Sequence, residues 1–389
     1  MEPNEIDNLF RNLLYDYLKK SGLSNTAESL QNEAQITGQT PPEFNRSTDG
    51  FLHDLWMSFY NMYYKYISMQ ERTRLSSQTQ VPNIGAIMDN IPQITREGYF
   101  IRNLARFPSQ ETLLSCDFSS DGKFVASGGF GTKAFVCNRE SSESGYTSES
   151  HSSAILEVRF QPGSTIFATS STDKTVKLWD AKSPENAVYE FTYNGIVRSL
   201  DFHPTENILC SSDTRDELKV WNLVEHVRTN HAMADVSIVR FQPGSGRLLA
   251  VAVRNVINIL DFKNFIVLNC LRGHVKHICS LCWDVTGQTV ASVSEDSVRV
   301  WLLSMNGQCL YEYPSNGKIF RSIIFHPKYR NVLVVGGFQC MELLILECNG
   351  KIRSIDCSFT SITGLAACIQ KELFASTSND SVPVVNIWK

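Results

Sequence analysis

Two landmarks return along this chain with one period of about 40–45 residues. The first is an apolar–x–aromatic triplet: Cys116-Asp117-Phe118, Val158-Arg159-Phe160, Leu200-Asp201-Phe202, Val239-Arg240-Phe241, Leu281-Cys282-Trp283 and Ile323-Ile324-Phe325. Its last residues run 118→160→202→241→283→325, steps of 42, 42, 39, 42 and 42, and one more period falls on Ala367. The second is Cys137, Trp179, Trp221, Leu260, Trp301, Leu344 and Trp388, spaced 42, 42, 39, 41, 43 and 44. From about Leu113, short strand-like runs alternate with Gly, Asn, Asp and Ser turns. That pattern predicts four strands per period and a β-propeller, and seven landmarks predict seven blades. The expected fold class is mostly β, with the propeller over 98–389.

Closing a ring raises the problem of edges, because an unpaired strand offers its backbone to other chains. Lys389 follows directly on the third strand of the seventh blade. Tyr99–Phe107 (YFIRNLARF) has strand character, and the stretch 98–107 is expected to complete that blade.

The first hundred residues follow a different period. Ile6, Leu9, Leu13, Leu14, Tyr17 and Leu18 form a helical stripe that stops at Ser21-Gly22. Ser24 is placed to cap a second helix presenting Ala27, Leu30 and Ala34. Two such short helices cannot bury their apolar faces alone, so a self-pairing module is expected over 5–35. After a connector with a double proline, the stretch 49–69 is dense in aromatics. Leu52, Leu55, Trp56, Phe59, Met62, Tyr63 and Tyr66 share one helical face, which either completes the helical core or binds a partner. Residues 70–97 turn polar, contain Pro82 and Pro92, and read as a linker.

Composition narrows the function. With 36 Lys+Arg against 40 Asp+Glu, a net charge of −4 speaks against a chain-wide grip on nucleic acid. No apolar run reaches the roughly 18 residues of a membrane span, and the start, MEPNEIDNLF, lacks a secretion signal. The chain therefore reads as soluble and intracellular, with its 11 cysteines as thiols. Cys279 and Cys282, with His274 and His277 nearby, mimic half a zinc site, but no second C-x-x-C pair exists and alternation along a strand sends the two to opposite faces. They read as core cysteines, and no metal or cofactor is expected. Gly128-Gly129-Phe130-Gly131 reads as a turn, with no helix following to make a phosphate loop.

The second repeat, from His151 through Pro162 to Ala168–Asp180 (ATSSTDKTVKLWD), resembles the WD-repeat family, and the likeness covers about 98–389. In that family a His, a Ser or Thr, an Asp and the Trp bond in series inside a blade. The resemblance assigns these roles to His151, Ser171, Asp173 and Trp179, and in the fifth repeat to His274, Ser294, Asp296 and Trp301. Such sets act as staples, and the repeat accounts for their spacing without a hydrolase triad. Where Cys137, Leu260 and Leu344 replace Trp, apolar packing alone is expected.

Leu13–Glu33 (LLYDYLKKSGLSNTAESLQNE) resembles a LisH motif, whose helices dimerise. Leu14, Tyr17, Leu18, Thr26, Ala27 and Leu30 are the positions this implies for dimerisation. Asp49–Tyr63 (DGFLHDLWMSFYNMY) resembles the extension that follows LisH in the LEUNIG group of plant transcriptional co-repressors, and the blades (SLDFHP, VRFQP, ASVSEDSVRVW) resemble that group too. The group carries a long Gln-rich spacer before its propeller, whereas only about Met69–Glu97 intervenes here. To the extent that the spacer recruits silencing machinery, this chain is expected to repress weakly or to compete with longer relatives.

What the resemblance implies is a nuclear, non-enzymatic co-repressor scaffold that is a homodimer or larger, binding neither nucleic acid directly nor membrane. Its aromatic helix would bind a SEUSS-like adaptor through Phe51, Leu55, Trp56, Phe59 and Tyr63, since buried aromatics dominate interface energetics. Its propeller would face histone deacetylase or Mediator components. Arg198, Arg215, Arg254, Lys276, Glu295 and Arg321 are rim candidates from their places at strand starts and turns. The alternative is a substrate receptor of a ubiquitin ligase. Receptors of that kind often carry Trp-Asp-x-Arg at a blade end, and the one Trp-Asp here is followed by Ala181-Lys182.

Overall fold

A computed structural model describes residues 101–389, except 216, 226, 306, 348–350, 359 and 380–381. The dimerisation stripe, the aromatic helix and the linker lie outside the described residues.

The described residues form seven four-stranded antiparallel sheets, the blades of a propeller. Blade one is β2 (Leu113–Phe118), β3 (Phe124–Gly129), β4 (Phe135–Asn138) and β5 (Glu143–Tyr146). Blade two is β6 (Ile155–Phe160), β7 (Ile166–Ser171), β8 (Thr175–Asp180) and β9 (Tyr189–Thr192). Blade three is β10 (Val197–Phe202), β11 (Ile208–Asp213), β12 (Glu217–Asn222) and β13 (Val227–Ala232). Blade four is β14 (Val236–Phe241), β15 (Leu248–Val253), β16 (Val256–Asp261) and β17 (Ile266–Arg272). Blade five is β18 (Ile278–Trp283), β19 (Thr289–Ser294), β20 (Ser297–Leu302) and β21 (Gln308–Pro314). Blade six is β22 (Phe320–Phe325), β23 (Val332–Gly337), β24 (Cys340–Leu346) and β25 (Ile352–Ser358). Blade seven is β26 (Ile362–Cys368), β27 (Leu373–Asn379), β28 (Pro383–Trp388) and, from the other end of the chain, β1 (Asn103–Pro108).

β1 pairs antiparallel with β28, Phe107 opposite Val385, and Arg102 and Lys389 exchange backbone bonds of 2.8 and 3.0 Å just beyond it. Of the 98–107 reading, 98–100 lie outside the described residues; the paired stretch runs from Asn103 to Pro108, whose missing N–H is tolerated at an outer edge. The two ends of the repeat array are thus tied through one sheet.

The first strands of the blades (β2, β6, β10, β14, β18, β22 and β26) pack side by side in a closed ring around a central channel. Between blades sit apolar clusters that join neighbours: Phe118 and Cys137 of blade one pack with Leu373 and Val385 of blade seven. Trp301 of blade five packs with Ala250 and Ile259 of blade four. Each blade buries its face only against the next, so the ring is held by neighbour contacts.

The glycine pair read as part of a turn instead ends β3, with the turn beginning at Phe130, and it has a steric reason. A Cβ on Gly129 would lie 1.9 Å from the Thr112 carbonyl oxygen, and one on Gly337, at the same phase of blade six, 2.1 Å from that of Ile319. At both places the next residue, Phe130 or Phe338, donates its N–H to that carbonyl. Close backbone approach requires the missing side chain.

Candidate functional site

Three constellations carry the chemistry of the ring: relays inside blades, a charged arc in the channel, and the loops of one face.

In blade two the indole N–H of Trp179 donates to Thr169 Oγ1 at 2.8 Å. His151 Nε2 lies 2.7 Å from the same hydroxyl, and its Nδ1 lies 2.9 Å from the Asp173 carboxylate. The carboxylate can only accept, so Nδ1 carries the proton and Nε2 accepts from Thr169. Burial holds the imidazole below its ordinary pKa, with Asp173 pulling the other way. The hydroxyl of the relay is therefore Thr169, not Ser171. Trp179 stands opposite Phe167, so Thr169 is its diagonal neighbour, while Ser171 lies roughly 7 Å further along the strand. Ser171 instead donates to the Ser153 carbonyl at 3.2 Å and accepts from the Asp173 N–H at 3.1 Å.

Blade five repeats the correction. Trp301 donates to Ser292 Oγ at 2.8 Å and His274 Nε2 lies 2.8 Å from that hydroxyl, with Asp296 on Nδ1 at 3.2 Å; Ser294 is two residues beyond. Blade three builds a relay in a different order from other residues, the indole donating to a phenol and not to the strand hydroxyl, which sequence reasoning missed. Tyr193 takes the histidine's place, accepting from the Trp221 indole at 2.6 Å and meeting Ser211 Oγ at 2.7 Å. The spacing from His151 to Tyr193 is one full period and would have found it. Thr169, Ser211 and Ser292 are fully buried, so none of these hydroxyls has an open side for a substrate.

The Trp-less blades differ among themselves. In blade four Leu249, Val251 and Leu260 pack in one apolar cluster, but charge also ties the blade, through Arg240 to Glu157 and Arg254 to Asp235. Blade six is likewise not held by apolar packing alone. Its buried Glu342 accepts from Lys318 Nζ at 2.5 Å and from the Tyr313 hydroxyl at 3.2 Å.

The channel, of about 580 Å³, is lined by the first strands of all seven blades. The middle residues of the repeated triplet point here: Asp117, Arg159, Asp201 and Arg240 in blades one to four, then Cys282, Ile324 and Ala366. Acid and base alternate over four blades and then stop, a signal present in the sequence at one phase. Glu157, at another phase, completes the cluster by bonding Arg240 Nη2, Arg159 Nη2 (2.7 Å), Ser199 Oγ (2.5 Å) and the Leu200 N–H (3.1 Å). Burial works against its carboxylate, yet Arg240 and Arg159 hold its pKa below the ordinary value. Asp201 is the opposite case: burial pushes its carboxyl up to about 6 against the pull of the two arginines.

These side chains also close gaps between blades. Asp117 accepts the Phe160 N–H and Asp201 the Phe241 N–H, each at 2.7 Å. Ser115, Ser199 and Ser322 accept from Val158, Val239 and Leu365 at 3.0–3.2 Å. The free inner edge of each of these first strands is thus satisfied by a side chain of the preceding blade. On blade five, a register shift between Ile278 and Ser280 sets Cys279 and Cys282 against one apolar cluster, where strict alternation separates them. Burial pushes the Cys282 thiol up to about 12.

All six rim candidates are exposed. Because strands alternate in direction, the second-to-third-strand turns (Arg215, Arg254, Glu295) and the approaches to first strands (Arg198, Lys276, Arg321) lie on one face of the ring. Arg198 and Arg321 line the channel mouth; Arg254 pairs with Asp235 at 2.5 Å. Phe130 and Phe338 share that face at 67% and 60% exposure. Sequence reasoning passed over both, although each follows a Gly-Gly pair.

The WD domain, G-beta repeat family matches residues 102–136, 142–180, 186–222 and 265–301, and the LisH family matches 12–34. The chain is 39% identical over 283 residues to the transcriptional corepressor LEUNIG_HOMOLOG of Arabidopsis thaliana, covering 72% of this chain and 36% of that protein. It is 24% identical over 234 residues to pre-mRNA-processing factor 19 of Oryza sativa subsp. japonica, covering 57% and 43%. The chain thus spans well under two thirds of either relative. Among solved structures, the WD40 repeats of RRP9 superpose with a TM-score of 0.65 at 16% identity, over 74% of this chain and 97% of that one, a likeness of fold.

Proposed function

This chain belongs to the LEUNIG-type LisH/WD-repeat proteins, and on that premise we propose that it is a transcriptional co-repressor scaffold of the nucleus. Its N-terminal helices dimerise through the LisH positions and hold a SEUSS-like adaptor on Phe51, Leu55, Trp56, Phe59 and Tyr63. Its propeller presents a fixed ring of loops to silencing partners such as histone deacetylase or Mediator components. The observation that carries this reading is the 39% identity to a transcriptional corepressor, over 72% of the chain. The ring adds physical support. Thr169, Ser211 and Ser292 are sealed in relays, while six charged side chains and two phenylalanines stand exposed on one face, an arrangement suited to binding proteins.

The test is affinity purification of the full chain beside a Trp56→Ala, Phe59→Ala double variant. The variant is expected to lose its adaptor while keeping propeller-bound partners. Retention of every partner overturns the adaptor assignment, and recovery of a cullin adaptor in place of silencing partners overturns the co-repressor reading.

A further inference from the structure

The outer strand of a blade is an edge, and six of the seven edges here carry the usual protections. Inside or at the end of the paired stretch, β1 has Arg106 and Pro108, β5 Glu143, β9 Glu190, β13 Arg228, β21 Glu312 and Pro314, and β25 Arg353 and Asp356. Charge and proline on an edge deter pairing with another strand.

β17 departs from this. Like β5 with Glu143, it has one charge, Arg272, at the end of its stretch, but it sets three large apolar residues outward in a row: Ile266, Val267 and Leu268 are 58%, 42% and 51% exposed. A bulge, with Ile259 opposite Asn269 but Leu260 opposite Val267, leaves consecutive apolar residues outward and confines any pairing to a short segment. Among the described residues no strand lies on its outer side.

We propose that the β17 edge is a docking site for an extended segment of a different protein, apolar at its centre and acidic at both ends, added as a fifth strand to blade four. An unpaired edge offers main-chain donors and acceptors in a row, which an extended strand satisfies and a helix does not. The apolar run at 266–268 calls for apolar side chains opposite. Exposed Lys263 and Arg272 bracket that run and call for carboxylates at the two ends. The same two residues argue against a second copy of this chain. Antiparallel self-pairing centred between Val267 and Leu268 brings the Lys263 turn of one copy beside Arg272 of the other, at both ends, and like charges held close repel. The site lies on the outer edge of blade four, apart from the rim, and does not depend on the co-repressor reading.

The probes are two fluorescent decapeptides, Asp-Asp-Val-Thr-Val-Ile-Val-Thr-Asp-Asp and its counterpart with Lys at the four acidic positions, titrated against the full chain by anisotropy. The acidic peptide is expected to bind at least about tenfold tighter at low salt, and to slow amide hydrogen exchange across 266–270. Val267→Lys, a change on an exposed edge, is expected to abolish that binding, and Leu310→Lys on the β21 edge to leave it intact. A Lys263→Glu, Arg272→Glu variant is expected to reverse the preference between the peptides. Equal or absent binding of the two peptides, or binding indifferent to Val267→Lys, overturns the proposal. Amides of β17 already protected in the free chain, and exposed on dilution, overturn it in favour of a second copy.

Discussion

One half of the channel wall is wired by charge and the other half is packed with apolar groups, although both halves sit at the same phase of one repeat. In blades one to four, Asp117, Arg159, Asp201 and Arg240 alternate around Glu157. In blades five to seven the same positions are Cys282, Ile324 and Ala366. The difference teaches that a blade-to-blade joint needs satisfied amides and filled space, and that either chemistry supplies them. Ser322 closes its joint with a single hydroxyl where Glu157 uses four bonds. The same contrast recurs inside blades, between the relay of blade two and the Leu249–Val251–Leu260 packing of blade four. A charged joint fixes its geometry, but it is exposed to large losses when one member is removed.

Glu157→Ala is therefore expected to give the largest effect, a destabilisation of about 3–5 kcal/mol in urea unfolding, because two guanidiniums with little exposure lose their common partner. A loss below about 1 kcal/mol would mean that the charged arc is as replaceable as the apolar one. Next comes Thr169→Val, which strands the buried Trp179 indole donor and is expected to cost about 1–3 kcal/mol. Ser171→Ala is expected to cost under about 1 kcal/mol, since its bonds are turn bonds at a strand end. The reverse order would restore Ser171 to the relay. On the apolar arc, Cys282→Val keeps the chemistry and nearly the volume of the wall, so its expected cost is below about 1.5 kcal/mol.

The finest test is a pH profile. The folded-state pKa of Asp201 is raised, from an ordinary 3.8 to about 6, so its contribution to stability is complete below about 4 and is lost as pH rises through about 6. His151 and His274, depressed by burial, run the other way: their contribution is present above about 6.5 and is lost as pH falls below it. Subtracting an Asp201→Asn profile from that of the parent chain isolates the first effect, because asparagine can still accept the Phe241 N–H. The parent is expected to gain on the variant as pH falls from 6 to 4. A flat difference would mean that Asp201 titrates as an ordinary surface carboxylate.

Much of this was legible in the residues. The spacing of Trp179, Trp221 and Trp301 gave the blade count, and the triplets ending at Phe118, Phe160 and Phe202 placed the first strands. The alternation of Asp117, Arg159, Asp201 and Arg240 was equally visible, since all four occupy one phase. Glu157 was not. Its partner Arg240 is 83 residues away, two blades further on, and no period of the chain points from one to the other. The relay hydroxyl was misplaced for a related reason: Thr169 and Ser171 share a face, and only the cross-strand register decides which one the Trp179 indole reaches.

By itself, then, the sequence determined the number of blades, the phase of their apolar faces and the places where the backbone must turn, because these follow from local patterning repeated along a covalent chain. Ring closure decided the rest. Which hydroxyl completes a relay, how Glu157 gathers two arginines and how β1 meets β28 are all relations between separate strands. Such distances take definite values only once seven sheets pack against one another and the last is completed by the first strand.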